Sequence, residues 1–219
     1  MKIKVCGMKY NPGEVAALAP DYLGFIFWEG SARHMDRPLP ADLPRPPARV
    51  GVFVNAGPEF VRSRCAEYHL DQVQLHGSES PEYCRDLELS EGVGLIKAFG
   101  LGPGFDFGRL AAYAPHCDAF LFDSRGPLPG GNGTGFNWEI LAGYDGYTPY
   151  FLSGGIGPDS LPALSDFLAS PASARCMALD VNSRFETKPG LKDVRALQQF
   201  MDAVRRLAPA APKPDSTHE

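Results

Sequence analysis

The chain has 219 residues, 44% of them apolar, with 21 Lys+Arg against 26 Asp+Glu and a formal net charge of −5. That balance excludes a chain disordered throughout and argues against a nucleic-acid partner, which normally meets a basic face. No run of 18 apolar residues, no long apolar leader and no CxxC pair among Cys6, Cys65, Cys84, Cys117 and Cys176 occurs, so we expect a cytoplasmic protein with reduced thiols and no membrane partner.

Residues 3–6 read as a first strand. Asn11-Pro12-Gly13-Glu14 then supplies an N-cap, a proline at the first helical position and a Glu placed for a capping box. Residues 23–27 read as a second strand. The stretch 37–49 holds five prolines, so the helix due after that strand is short or eroded. A third strand at 50–54 leads to Pro58, which opens a helix with Phe60, Val61 and Cys65 on one side. A fourth at 72–75 leads to Ser80-Pro81 and a helix carrying Tyr83, Cys84 and Leu87. Strands at 94–99 and 119–122 are followed by short helices at 105–113 and 136–142. A strand at 148–152 precedes Pro158 and a helix with Leu161, Leu164, Phe167 and Leu168. The last strand, 177–181, precedes Leu191, Val194, Leu197, Met201, Val204 and Leu207 at helical spacing.

Most of these strands are nearly continuous apolar runs, as expected of strands buried on both faces. Strand and helix alternate through short connections, which demands parallel strands and right-handed crossovers. We expect one α/β domain over residues 1–207. The even repeat, and the lack of GxGxxG after the first strand, favour a closed (β/α)₈ TIM barrel over an open doubly wound sheet. The tail 208–219, rich in Ala, Pro and polar residues, is expected to be disordered.

Ligands of parallel α/β folds bind beyond the carboxyl ends of the strands. There the chain places Cys6-Gly7, Gly30-Ser31-Ala32-Arg33-His34, Gln74 with His76-Gly77, Lys97, Asp123-Ser124-Arg125, Ser153-Gly154-Gly155, and Asp180-Val181-Asn182-Ser183-Arg184. Ser153-Gly154-Gly155-Ile156-Gly157-Pro158 reads either as a tight strand-to-helix turn or as a phosphate cradle, which this barrel commonly builds after strands 7 and 8. Cys6 is either inert packing or a thiolate base with its pKa lowered by a cation such as Arg33. Asp123, directly after four apolar residues, is either a loop cap or an acid with a raised pKa. A Cys and an Asp shifted in opposite directions would make a base–acid pair. Arg33 and His76 have plain readings as a loop arginine and a satisfied histidine, and Lys97 as a snorkelling strand-end residue. The glycine-rich loop 130–135 is suited to fold over a ligand. Its Asn132-Gly133-Thr134 sequon reads as coincidence.

The motifs Lys4-Val5-Cys6-Gly7-Met8, Gly24-Phe25-Ile26-Phe27, Ser31-x-Arg33, Gln74-Leu75-His76-Gly77, Phe122-Asp123-Ser124, Gly133-Thr134-Gly135, Leu152-Ser153-Gly154-Gly155 and Asp180-Val181-Asn182-Ser183 occur together and in order. This set resembles the phosphoribosylanthranilate isomerases of tryptophan biosynthesis. The resemblance implies an Amadori rearrangement of a small phosphorylated substrate, by acid–base catalysis without metal or organic cofactor. It implies Asp123 as general acid and Cys6 as general base. Arg33 would contact the anthranilate part, and Gly154, Gly155, Asn182, Ser183 and Arg184 would hold the phosphate. Gln74, His76 and Asp180 complete the expected substrate-binding set. Family members usually carry a glycine where Arg184 stands. A monomer or a homodimer is equally compatible with the chain.

Two other classes fit parts of the pattern. A metal-dependent pentose-phosphate epimerase would need His and carboxylate ligands on several strand ends, where only His76 is well placed. A non-catalytic phosphate-binding barrel would have no use for both Cys6 and Asp123. A dual-substrate relative acting on a histidine-pathway aminoaldose would have a carboxylate in place of Cys6.

Overall fold

Continuous apolar runs cannot leave either face in water, so the strands they form need cover on both sides. The chain meets that demand by closing its sheet. In the computed structural model, which describes residues 1–124 and 138–207, eight parallel strands pair in sequence order around a closed barrel. They are β1 (Lys2–Val5), β2 (Tyr22–Ile26), β3 (Ala48–Phe53), β4 (Gln72–Leu75), β5 (Gly94–Leu101), β6 (Ala119–Ser124), β7 (Tyr150–Ser153) and β8 (Cys176–Val181). The register sets Lys4 beside Asp180, Val52 beside Gln74, and Asp123 beside Ser153.

Among the described residues five α-helices cover the outside: α1 (Pro12–Ala16), α2 (Pro58–Tyr68), α3 (Pro81–Asp86), α4 (Leu161–Ala169) and α5 (Val194–Leu207). Each of the first four carries a proline in its first turn, where a missing N–H costs nothing. No helix joins β2 to β3, as the prolines of 37–49 require. Shorter 3₁₀ turns at Phe107–Ala112 and Trp138–Gly143 stand where short helices were expected at 105–113 and 136–142. Leu191 begins no helix. It lies in β10 (Leu191–Lys192), which pairs antiparallel with β9 (Glu186–Lys188) as a small hairpin after β8. The loop 130–135, residues 136 and 137, and the tail 208–219 lie outside the described residues. No helix among the described residues is long and apolar enough to cross a membrane.

Two apolar layers hold the barrel. Outside, Leu23, Phe25, Phe53, Phe120, Phe122, Leu152 and Leu179 meet the helices, including Leu197, Phe200, Met201 and Val204 of α5. Inside, Tyr22, Val50, Ile96, Ala98, Leu121, Phe151 and Ala178 fill the axis. Burying each large side chain stabilises the fold by roughly 1.5–3 kcal/mol. The barrel is therefore solid at its amino end. Towards the carboxyl ends the filling changes to Lys4, Gln74 and Asp180, all buried, with Cys6 beyond them. That change of chemistry marks the floor of a site.

Candidate active site

A cleft of about 500 Å³ opens over this polar floor. Cys6, Gln74, His76, Asp123, Asp180, Gly154, Gly155, Asn182, Ser183 and Arg184 all line it. Arg33, alone of the expected site residues, does not.

Cys6 follows β1 and is 4% exposed. Burial pushes its thiol up, Asp180 pushes the same way, and Lys4 and Lys192 pull it down, with the thiol left above its ordinary value. This corrects the expectation that Arg33 lowers it. Arg33 has its Nε 2.9 Å from both carboxylate oxygens of Glu186, and its Nη2 2.6 Å from Oε2. Its charge is neutralised there. Lys4 Nζ stands 3.2 Å from Asp180 Oδ1. Burial pulls the Lys4 ammonium down, but Asp180 and Cys6 outweigh it and hold the pKa above the usual lysine value. Burial likewise pushes the Asp180 carboxyl up against the pull of Lys4. Asp180 Oδ1 is buried, and the Lys4 ammonium is what compensates it there.

Asp123 rises from β6, three strands from β1 one way round the ring and five the other. It stands about a third exposed, with Oδ2 3.6 Å from Nε2 of His76. His76 Nδ1 is 2.8 Å from Gln74 Nε2, and Gln74 Oε1 accepts from Lys4 Nζ at 2.5 Å. A line of polar side chains thus crosses the floor from Asp180 through Lys4, Gln74 and His76 to Asp123.

The wall after β7 is a glycine turn. Gly154 and Gly155 take φ of +103° and +64°, a region that side chains rarely adopt. A Cβ at Gly155 would meet nothing within 4 Å, so its backbone faces open space. Beside it lies the 3₁₀ turn Ser183–Phe185 after β8. Asn182 is fixed there by Lys192, whose Nζ donates to its Oδ1 at 2.8 Å. Arg184 reaches back to Asp159 at 3.0 Å but stays half-exposed at the rim.

Lys97 is not a snorkelling strand-end residue. It points away from the axis and is buried in an ion pair with Glu79 at 3.1 Å, donating also to the carbonyls of Leu75, Gly77 and Ala98. Sequence reasoning gave no role to Lys4, Glu186 or Lys192. Lys4 did carry a signal, because a charge inside a strand buried on both faces needs a partner. Trp28, 47% exposed, also lines the cleft. Among the described residues no group of three His, Cys, Asp or Glu could hold a metal ion.

A closed parallel barrel with a thiol, a carboxyl, a glycine turn and a 3₁₀ turn around one cleft defines a (β/α)₈-barrel enzyme. Known proteins agree. The family model for N-(5′-phosphoribosyl)anthranilate isomerase matches residues 4–203. A protein of that name from Parabacteroides distasonis is 44% identical over 212 residues, covering 93% of each chain. The crystal structure of the isomerase from Thermotoga maritima has a TM-score of 0.77 at 31% identity, covering 94% of this chain and 99% of its own. Another solved isomerase holds reduced 1-(o-carboxyphenylamino)-1-deoxyribulose 5-phosphate, with a TM-score of 0.76 at 28% identity, covering 94% and 99%. The chain belongs to the N-(5′-phosphoribosyl)anthranilate isomerase family.

Proposed function

We propose that this chain carries out the reaction its family is named for, with Cys6 as base and Asp123 as acid. The substrate is N-(5′-phosphoribosyl)anthranilate. The product is 1-(2-carboxyphenylamino)-1-deoxyribulose 5-phosphate, in tryptophan biosynthesis. The observation that carries the reading is that a thiol and a carboxyl from well-separated strands line one cleft whose wall includes the glycine turn after β7 and the 3₁₀ turn after β8.

Asp123 gives a proton to the furanose ring oxygen. The bond from that oxygen to C1′ breaks, and the nitrogen lone pair forms a protonated imine. That cation is an electron sink, so the C2′ proton becomes acidic enough for a sulfur base. Cys6 takes it, leaving an enolamine, which becomes the product ketone as C1′ is protonated and the C2′ hydroxyl loses its proton. The raised thiol of the free protein fits this order of events. The thiol first releases its own proton to solvent, and the cationic imine beside it favours the thiolate that then takes the C2′ proton. Asp180, part of the cleft lining, meets the sugar. Gly154, Gly155, Asn182, Ser183 and Arg184 hold the phosphate at the wall. Arg33 meets the anthranilate carboxylate by exchanging it for Glu186.

Purified protein is expected to turn over phosphoribosylanthranilate without added metal. Cys6→Ala and Asp123→Asn should each lower kcat by about 10²–10⁴-fold, the usual contribution of one positioned proton transfer. Full activity in either variant rejects that residue's role.

A further inference from the structure

His76 stands at the end of β4 between two partners. Gln74 Nε2 lies 2.8 Å from its Nδ1, and Asp123 Oδ2 lies 3.6 Å from its Nε2. The two ends of an amide are alike in shape, so chemistry must orient it. An ammonium has donors only, and Lys4 Nζ sits 2.5 Å from the far end of the Gln74 amide. That end is the oxygen. The NH₂ therefore faces His76, and an amide NH₂ only donates. Nδ1 is the acceptor, and the neutral ring carries its hydrogen on Nε2, towards Asp123. Lys4 has little freedom to leave. It is fully buried, with Asp180 at 3.2 Å and Cys6 also beside it.

We infer that Gln74 and Lys4 are positioning residues for the acid: they fix His76 as its Nε2–H tautomer and aim that hydrogen at Asp123. The role rests on the assignment of Asp123 as general acid, whereas the tautomer does not. A donor on Oδ2 leaves Oδ1 to carry the proton bound for the substrate. It also stabilises the carboxylate that remains once the proton has gone. The reversed tautomer would set a nitrogen lone pair against an oxygen lone pair. The present 3.6 Å separation is just beyond hydrogen-bond length, and such contacts commonly tighten once substrate is bound. Gln74 thereby changes from an expected substrate contact to a group that acts through His76. Both ends of its amide are occupied within the protein.

Substituting Gln74→Glu tests this. The carboxylate still accepts from Lys4, so the new charge has a buried partner, but it offers His76 an acceptor in place of a donor. Nitrogen-15 NMR of histidine-labelled protein, with the His76 signals assigned from a His76→Asn sample, is expected to show a pyrrole-like Nε2 and a pyridine-like Nδ1 in the starting protein. In Gln74→Glu the hydrogen should move to Nδ1. With Asp180 facing the ring from β8 and Asp123 from β6, the spectra are recorded across neutral and alkaline pH. The same variant should lose kcat on the order of 10²-fold, as mispositioned catalytic groups do, with KM little changed. His76→Gln, whose amide reaches the place of Nε2, should retain more kcat than His76→Asn, whose amide reaches that of Nδ1. An unmoved hydrogen in Gln74→Glu, a ring protonated at both nitrogens throughout, or a rise in KM at constant kcat overturns the inference. If Gln74→Glu does not fold, Gln74→Met serves instead, and a single sharp tautomer persisting there overturns it equally. Were the starting protein itself inactive on phosphoribosylanthranilate, the functional reading would fail while the tautomer result stood.

Discussion

Where the Cys6 sulfur can sit is decided by a neighbour without a side chain. A Cβ placed at Gly24 would meet Cys6 Sγ at 2.8 Å and Cys6 Cα at 3.0 Å. The first contact can be relieved by turning the thiol away from the cleft, and the second only by moving backbone. Gly24→Ala should therefore cost about 1–3 kcal/mol of stability, as overpacking does, and lower kcat through the displaced sulfur. The two effects separate in a double-mutant cycle. In a Cys6→Ala background the sulfur contact is gone, so the stability cost of Gly24→Ala should shrink in denaturant titrations. An unchanged cost would show that only backbone is being pushed. The motif Gly24-Phe25-Ile26-Phe27 was visible in the sequence. The reason for its glycine needed the register between β1 and β2.

The β9–β10 hairpin joins several of the site's positions. Glu186, its first residue, accepts from Arg33 and also from Lys192 at 2.7 Å. Lys192 in turn holds Asn182 through both its backbone and side-chain oxygens. The carboxylate of Glu186 is only 4% exposed. Burial alone would push it up, but the two cations win and hold it below its ordinary value. Its contribution is thus present above the usual Glu pKa and lost as pH falls through the lower, folded one. Glu186→Ala leaves two cations without their shared partner and should cost about 3–5 kcal/mol, read as a fall in the denaturation midpoint. An unchanged midpoint would show that the hairpin is decoration. Most elements were legible in the sequence because burial on both faces leaves an apolar run. This hairpin was not, although Pro189-Gly190 marks a turn between its arms. Its two short strands bury little, so the apolar pattern that revealed the barrel is missing there. Lys4, Glu186 and Lys192 were overlooked for a related reason. Each is meaningful only beside partners distant in sequence, and register, not local pattern, supplies those partners.

Across the whole molecule, closure of the sheet makes the same burial that shapes the site govern stability at high pH. Among the described residues the outer layer has no α-helix after β2, β5 or β6, yet the remaining cover buries several thiols and phenols. Burial pushes Cys65 up to about 11 and Cys176 up to about 12. Tyr68, Tyr83, Tyr113 and Tyr144 are raised for the same first cause. In the unfolded chain thiols ionise near their ordinary value of about 8.5. Between that value and about 11, the unfolded state therefore holds fewer protons than the folded one. The slope of unfolding free energy with pH is then negative, so stability is full below the unfolded pKa and is lost as pH rises through the folded values. Catalysis pulls the other way, since a raised Cys6 becomes a base more readily as pH climbs. The denaturant midpoint should fall steadily from pH 9 to pH 11, while kcat/KM rises over the part of that range where the protein stays folded. Cys65 is the cleanest probe, because burial is the one cause of its shift. Cys65→Ala should lower the midpoint at neutral pH through the small cavity it leaves, yet flatten the decline above pH 9, because one proton fewer separates the two states. If the decline were as steep in Cys65→Ala as in the starting protein, the alkaline loss would come from elsewhere, such as repulsion growing on a chain already at −5 as its lysines discharge.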